Sequence, residues 1–570
     1  MDALAETRIA TLARPSVRCD VVTRAAPTSR RFPHSLAAAL FILAWFVLNL
    51  AYIAFLCPHD LAPDEAHYWH WSRHLDWSYY SKGPLVAWLI RGSCELFGST
   101  AFAVRLPAVA SSATLLAGLY VLIADVLRDR RLALASIVCA STLPAISAGA
   151  VLMTIDPPFL ACWCWALACL NRASNRRSNV WWLLAGLCTA LGVLAKYPMM
   201  LLLAVAIGHL LVYRRSEFRR GGVWLFLGIT TLGCVPILVW NANHDWVSFL
   251  HVLGQAGVNE ESNAPWFTPL AYLGGQVGLL LGFWFAAFAA GAWRFHPLKP
   301  GFCFGNRVSR SLPRNPVSKA ETGFRGCDSG LSLVWWASVP VWGVFLVASI
   351  RTPGQLNWPA AAYVGGAVLA AAWIRERNSR TVRIALIAAT ILGFAYSVGL
   401  RFPQFARPVL SIVLPSPSEQ NPTPIRKIDP TCRLTGWSTL AAEVDRLRDR
   451  VQRETGEDPV LAGMLWTLPG ELSFYCREHP AAYSFGPALA DRHSQYDLWR
   501  PNPVSDPEVF RGRSFIYVGE RIPNFEGAFE RVEVPISVTH CEAGVPTSTW
   551  TIWVCHGFRG FPERRTRTGY

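Results

Sequence analysis

Residues 35–85, "SLAAALFILAWFVLNLAYIAFLCPHDLAPDEAHYWHWSRHLDWSYYSKGPL", join two unlike stretches. Ser35 to Cys57 is uncharged and almost wholly apolar, and roughly 20 such residues suffice to cross a bilayer as a helix. The run is too long for the apolar region of a signal peptide and lacks a small-x-small cleavage site, so it reads as a retained first spanning helix. The segment that follows sets Asp64, Glu65 and Asp76 among His67, His70, His74, Trp69, Trp71, Trp77, Tyr68, Tyr79 and Tyr80. A charged, aromatic segment directly after a membrane helix is either a solvated loop or the floor of a site at the membrane surface.

The rest of the chain follows the first stretch. Of its 570 residues, 52% are hydrophobic and 16% charged, against about 25% charged in soluble domains. Eleven candidate spans stand out, near 35–57, 103–127, 132–152, 155–171, 180–195, 198–213, 223–241, 269–293, 331–350, 358–374 and 383–400. Beyond residue 400 the composition becomes that of a soluble protein. This predicts a polytopic α-helical membrane protein of about eleven transmembrane helices with a small soluble α+β C-terminal domain. Its parts are a basic N-terminus (1–34), a membrane domain (35–400) with a first outer loop at 58–102, a Pro-rich linker (401–430) and the soluble domain (431–570). In the last, a charged helix is expected near 438–455 and strands near 459–467, 513–519 and 549–555. Cys432, Cys476, Cys541 and Cys555 there are candidates for disulfides of unreadable connectivity.

The net charge of +15 does not point to nucleic acid, because the basic residues cluster between apolar runs. The Arg-rich N-terminus, Arg128/Arg130/Arg131, Arg172/Arg176/Arg177, Arg214/Arg215/Arg219/Arg220, the stretch Arg294–Arg325 and Arg375/Arg377/Arg380 occupy alternate connectors. The positive-inside rule puts these six in the cytoplasm. The N-terminus is then inside, and the 242–268 loop (with Asp245, Glu260 and Glu261) and the C-terminal domain are outside, which for an inner membrane is the periplasm.

This topology gathers Asp64, Glu65, Lys82, Asp156, Lys196, His244 and Arg351 at one face. Each also has a plainer reading. Asp64 and Glu65 diverge on any regular backbone, so one is expected to face the reaction and the other to hold structure, and Asp64 suits a helix cap after Pro63. Asp156 in "MTIDPPF" is either a costly near-membrane carboxylate with a function or a helix cap before Pro157. Lys196 in "LAKYP" holds a phosphate or snorkels to the interface. His67, His70 and His74 share a helical face, as metal ligands or as the polar side of an interfacial helix anchored by its aromatic residues. Arg351 and Asn357 fall on the same outer side, and Tyr68, Tyr80 and His244 complete the candidate substrate contacts. "LGGQVGLLLG" (273–282) lacks the strand-turn-helix context of a nucleotide-binding loop. Carboxylates able to act as base, cations able to hold phosphate and an aromatic rim suit transfer from a lipid-phosphate donor. A flippase of lipid-linked sugars is the alternative, but its charged groups belong at mid-membrane.

"PDEAHYWHWSRHLDWSYYSKGPL" (63–85) resembles the first-outer-loop motif of the membrane-embedded GT-C glycosyltransferases. The nearest branch is the bacterial one related to the dolichyl-phosphate-mannose protein mannosyltransferases and the lipid A aminoarabinose transferase. "LMTIDPPFLACW" (152–163), "LAKYPMMLLL" (194–203), "WNANHDWVSFL" (240–250) and "QLNWPAAAY" (355–363) resemble its later motifs in order, as do "ELSFYCRE" and "SQYDLWRP" in the tail. The resemblance implies a polyprenyl-phosphate-sugar donor, a lipid, glycan or protein acceptor, and inverting transfer at the outer face. It implies Asp64 as the catalytic acidic residue with Glu65 beside it, and Lys82 on the lipid phosphate; their placement at the same face adds Asp156, to orient the acceptor or a cation, and Lys196 or Arg351 on the phosphate. The aminoarabinose transferase has a glutamate, a metal-ligand candidate, before its lysine; this chain has Ser81, so a divalent metal stays an open expectation.

Overall fold

The computed structural model describes residues 33–562 except 177, 256, 258–264, 298–328, 416, 419–420, 490, 492 and 522–526. The N-terminal basic segment to residue 32, Arg177, Glu260, Glu261 and most of the Arg294–Arg325 stretch lie outside the described residues. The helical part runs α1 (His34–Ala51, prolonged by a π-helical turn Tyr52–Leu56), α2 (Pro63–Arg73), α3 (Leu85–Phe97), α4 (Ala101–Leu127), α5 (Arg130–Ser141), α6 (Pro144–Gly149), α7 (Asp156–Arg176), α8 (Asn179–Ala195), α9 (Met199–Tyr213) and α10 (Gly221–Ala242). It continues through α11 (Val247–Gln255), α12 (Thr268–Leu279), α13 (Phe283–Arg294), α14 (Ser329–Trp336), α15 (Val339–Ala348), α16 (Ala362–Arg377), α17 (Arg380–Arg401) and α18 (Pro403–Val413).

Among the described residues, five helices are long and apolar enough to span a bilayer, or up to six if the bent α12–α13 pair counts as one. The shortfall from about eleven has local causes. The 132–152 run is broken before Pro144, which cannot donate a helical hydrogen bond and starts α6 instead. The 269–293 run folds back by 108° between α12 and α13, where Leu281 and Gly282 take positive φ. α8 and α9 are apolar but shorter than the spanning length. α4 is largely buried inside the bundle, whereas α1, α10 and α17 expose most of their apolar surface, as lipid-facing helices do.

The basic connectors meet at one end of the bundle. There Arg172 pairs with Asp125, Arg375 donates to the Leu127 carbonyl at 2.9 Å and Arg214 to that of Ser174 at 3.4 Å. The C-terminal domain covers the opposite end. It is built from α19 (Trp437–Thr455), β1 (Val460–Gly463), α20 (Thr467–Tyr475), β2 (Ala482–Ser484), the short α21 (Gln495–Leu498), β3 (Phe515–Val518), β4 (Phe529–Val532), β5 (Ile536–Glu542) and β6 (Val545–Phe558). The sheet order is β2-β1-β3-β6-β4, with β5 also on β6. β1 is parallel to β2 and β3, and the pairs with β6 are antiparallel. α19 buries Leu440, Val444, Leu447 and Val451, one helical stripe, against Leu461, Ile516 and Ile552. The other face packs Phe485, Phe515, Phe529 and Phe558. Cys476 and Cys555 thus lie in different cores, and all four tail cysteines named above are free thiols.

Three contacts dock this domain on the first outer loop. Gly436 precedes α19 and has no side chain to cap it; Asp60 does so from the loop, its Oδ2 accepting from the Trp437 amide at 2.8 Å. Tyr475 Oη accepts from the Leu61 amide at 2.6 Å. Gly470 lets α20 lie directly on α2, because a Cβ there would stand 2.8 Å from Ala66 C and His67 N.

Candidate active site

A cavity of about 700 Å³ opens between the bundle and the C-terminal domain. Asp64, Tyr68, Tyr80, Lys82, Asp156, Lys196 and Asn357 of the expected set line it. Glu65, His244 and Arg351 do not, and each is a correction.

Glu65 is fully buried and wholly engaged. Arg105, 2% exposed, donates to it through Nε at 3.1 and 3.3 Å and through Nη2 at 3.0 Å. The Ala62 and Met153 amides add bonds of 2.8 Å each. The first of these caps α2, so the capping role foreseen for Asp64 belongs to Glu65, and Glu65 has no lone pair left for a substrate. His244 lies flat on Trp240, with ring centroids 3.9 Å apart, and its Nδ1 is 2.8 Å from the Trp240 carbonyl. Arg351 is exposed in the turn after α15, away from the cavity.

Asp64 occupies the first turn of α2, where the helix dipole favours its charge. Its side chain is reached through the cavity, yet protein surrounds it. That enclosure pushes its pKa above the ordinary carboxylate value; Lys82 and Arg433 oppose the shift, and the Asp156 and Glu65 carboxylates add to it. Lys82 is brought in by the "KGP" turn. A Cβ on Gly83 would lie 2.2 Å from the Leu194 carbonyl oxygen, so only glycine lets this turn press on the C-terminal end of α8, two residues from Lys196.

Asp156 begins α7, and Lys196 Nζ lies 2.6 Å from its Oδ1. Asn357 Nδ2 donates to Oδ2 at 2.7 Å. With both oxygens taken, Asp156 is less a base than the counter-ion that holds Lys196 at the cavity wall. Tyr80 is fixed by its amide, which donates to Gln495 Oε1 at 2.7 Å, and its ring packs on His251 at 5.0 Å. Tyr68 meets Trp71 edge-on at 5.1 Å.

His67 and His70 of α2 and His74, its C-cap, do not form a three-ligand group. His67 Nδ1 and His70 Nδ1 both face Tyr496 Oη, at 3.1 and 3.3 Å, and His74 is exposed. Among the described residues no group of three or more His, Cys, Asp or Glu is disposed to hold a metal ion.

Two lining cations were not foreseen, Arg401 and Arg433. Arg401 carries a legible signal: it ends a span on the side where the topology rule expects few cations. It bonds Asn49 and Ser147 and faces the Tyr52 ring at 5.0 Å. Arg433 carries none, because it sits in a short 3₁₀ segment of the soluble domain whose docking no sequence pattern announces.

Residues 81–240 match the family model described as dolichyl-phosphate-mannose-protein mannosyltransferase. The lipid A galacturonosyltransferase RgtD of Rhizobium johnstonii is 26% identical over 354 residues, 60% of this chain and 67% of that protein. The undecaprenyl phosphate-alpha-4-amino-4-deoxy-L-arabinose arabinosyl transferase of Pseudomonas paraeruginosa is 26% identical over 260 residues, 40% of this chain and 47% of the relative, so the chain spans about half its length. The crystal structure of ArnT from Cupriavidus metallidurans in the apo state superposes with a TM-score of 0.57 at 15% identity, covering 91% of this chain and 98% of that one. That likeness concerns the fold: a helical membrane bundle with a small sheet domain over one end. Together with the match of residues 81–240 to the family model, it shows that this chain is similar in fold to the GT-C membrane glycosyltransferases.

Proposed function

We propose that the protein transfers a sugar from a polyprenyl-phosphate donor to a hydroxyl of a lipid, glycan or protein acceptor, with inversion. In this reading the membrane is the bacterial inner membrane, the N-terminal segment is cytoplasmic, and the cavity and C-terminal domain face the periplasm. One observation carries the proposal: a carboxylate with raised pKa, Asp64, shares a membrane-edge cavity with Lys82 and the Asp156-held Lys196. RgtD and the Pseudomonas enzyme are named for a uronic acid and an amino sugar, and a structure of the same fold holds undecaprenyl phosphate. Those names favour a lipid-phosphate donor and leave the sugar open.

Asp64 accepts the proton of the acceptor hydroxyl as general base. The freed oxygen forms a bond to the anomeric carbon while the bond from that carbon to the phosphate oxygen breaks on the opposite face, and the electron pair leaves with the phosphate. Lys82, with Lys196 beside it, stabilises the charge that develops there; fixed cations in a poorly hydrated site lower such barriers by several kcal/mol. Asp156 and Asn357 keep Lys196 pointed into the cavity, and the bilayer aligns the polyprenyl tail.

The purified protein in proteoliposomes, given labelled polyprenyl-phosphate sugars and a membrane extract, tests this. Label covalently joined to a component of the extract supports a transferase. Label that crosses the bilayer still on its lipid carrier indicates a flippase.

A further inference from the structure

We propose that Arg433 is the anion-binding residue of the acceptor subsite, so that the C-terminal domain completes the active site instead of merely covering it. The acceptor then carries a phosphate or carboxylate close to its reacting hydroxyl. This rests on the transferase reading above.

Arg433 lines the cavity with an exposed side chain. Among the described residues its guanidinium enters no hydrogen bond or ion pair, while its charge acts on the Asp64 carboxylate. Its backbone, by contrast, is held on every side. The Arg433 carbonyl accepts from Trp437 Nε1 at 3.0 Å, and the Cys432 carbonyl from Ser548 Oγ at 3.0 Å. Asp429 caps the turn through the Thr431 amide at 2.8 Å. Arg407, fully buried, ties Asp429 at 2.7 Å and Thr431 at 2.9 Å, and also reaches Glu542. A fixed backbone holds this cation at the cavity, so only the freedom of the side chain itself is lost on binding.

The charge of the cavity agrees. Its lining sets Lys82, Lys196, Arg401 and Arg433 against Asp64 and Asp156, a surplus of two positive charges. One phosphodiester donor neutralises a single charge. The position of Arg433 identifies which substrate brings the other anion. Asp64 marks where the acceptor hydroxyl must sit, and inversion sends the donor phosphate to the far side of the sugar. Lys82 and Lys196 belong to the bundle wall of the cavity, where the bilayer delivers the polyprenyl phosphate, whereas Arg433 enters from the C-terminal domain and is left to the acceptor.

The test uses the full chain in proteoliposomes and the extract that accepts label, separated by anion exchange. Wild type is expected to label the retained, anionic fraction. Arg433→Ala should raise the acceptor KM by about 10- to 100-fold, the loss expected for one charged hydrogen bond, and leave the donor KM unchanged. Arg433→Lys should recover part of the loss. Label confined to the unretained fraction, an unchanged acceptor KM in Arg433→Ala, or a rise confined to the donor KM overturns the proposal. Where Arg433→Ala loses thermal stability, the acceptor-to-donor KM ratio of Arg433→Lys decides in the same way. Wild type that labels neither fraction refutes the transferase reading itself.

Discussion

Replacing Glu65 by Gln separates structure from chemistry at the adjacent carboxylates of α2. Glu65 is 0% exposed and holds an Arg105 that is 2% exposed, together with two backbone amides. Glutamine keeps the shape but removes the charge and turns an NH₂ group toward donors. Arg105 then stays buried among neutral acceptors, the His59 and Asp60 carbonyls. Breaking a buried ion pair by removing one partner costs about 3–5 kcal/mol, a large part of the roughly 5–15 kcal/mol that holds a typical domain folded. Glu65→Gln should therefore lower the thermal unfolding temperature in detergent by several degrees, with activity falling in step with the folded fraction. Pairing it with Arg105→Met should recover part of the stability, because no buried charge is then left unpaired. A Glu65→Gln protein with wild-type thermal stability and no transfer would refute this reasoning and return Glu65 to the chemistry.

Three further outcomes follow from the same geometry. Gly83→Ala drives a methyl against the Leu194 carbonyl and displaces Lys82; it should reduce kcat at least about tenfold, as misplacement by an ångström does, with little change in acceptor KM. Because burial raises the Asp64 pKa and the base must be ionised, the acidic limb of the rate profile should lie above the ordinary aspartate range, and Lys82→Met, which removes the largest opposing charge, should shift it further up. Glu471 is fully buried, its oxygens have no hydrogen-bond partner, and burial beside Asp60, Glu65 and Asp64 raises its pKa well above the usual value. The folded state holds this proton more tightly than the unfolded chain does, so its stability is fully present below the ordinary value of 4.5 and is lost as pH rises above it; Glu471→Gln should melt higher than wild type at pH 8 and closer to it below pH 4.5.

The membrane class, the soluble α+β tail and the grouping of the basic turns at one end of the bundle were legible because each is written in local composition. α19 and strands β1, β3 and β6 were found where their apolar patterns run; β2, β4 and β5, short or marginal, were not. Asp64, Lys82, Asp156, Lys196 and Asn357 were legible as polar residues at the ends of apolar runs on one side. What local pattern cannot encode is which oxygen faces which partner. Arg105 is a lone arginine inside a spanning helix, and only the fold shows that it consumes Glu65. Arg433 reaches the cavity through long-range docking by Asp60, Gly470 and Tyr475, and no spacing in the sequence records that contact.

The most direct test of the central claim compares Asp64→Asn with wild type in single-turnover transfer from a labelled polyprenyl-phosphate sugar at saturating acceptor. Asparagine keeps the size of the side chain and cannot accept the acceptor's proton. The account predicts a folded variant that still binds donor, melts no lower than wild type and transfers at least about 100-fold more slowly, the low end of what a positioned base contributes. Transfer at the wild-type rate would contradict it and remove Asp64 from the reaction.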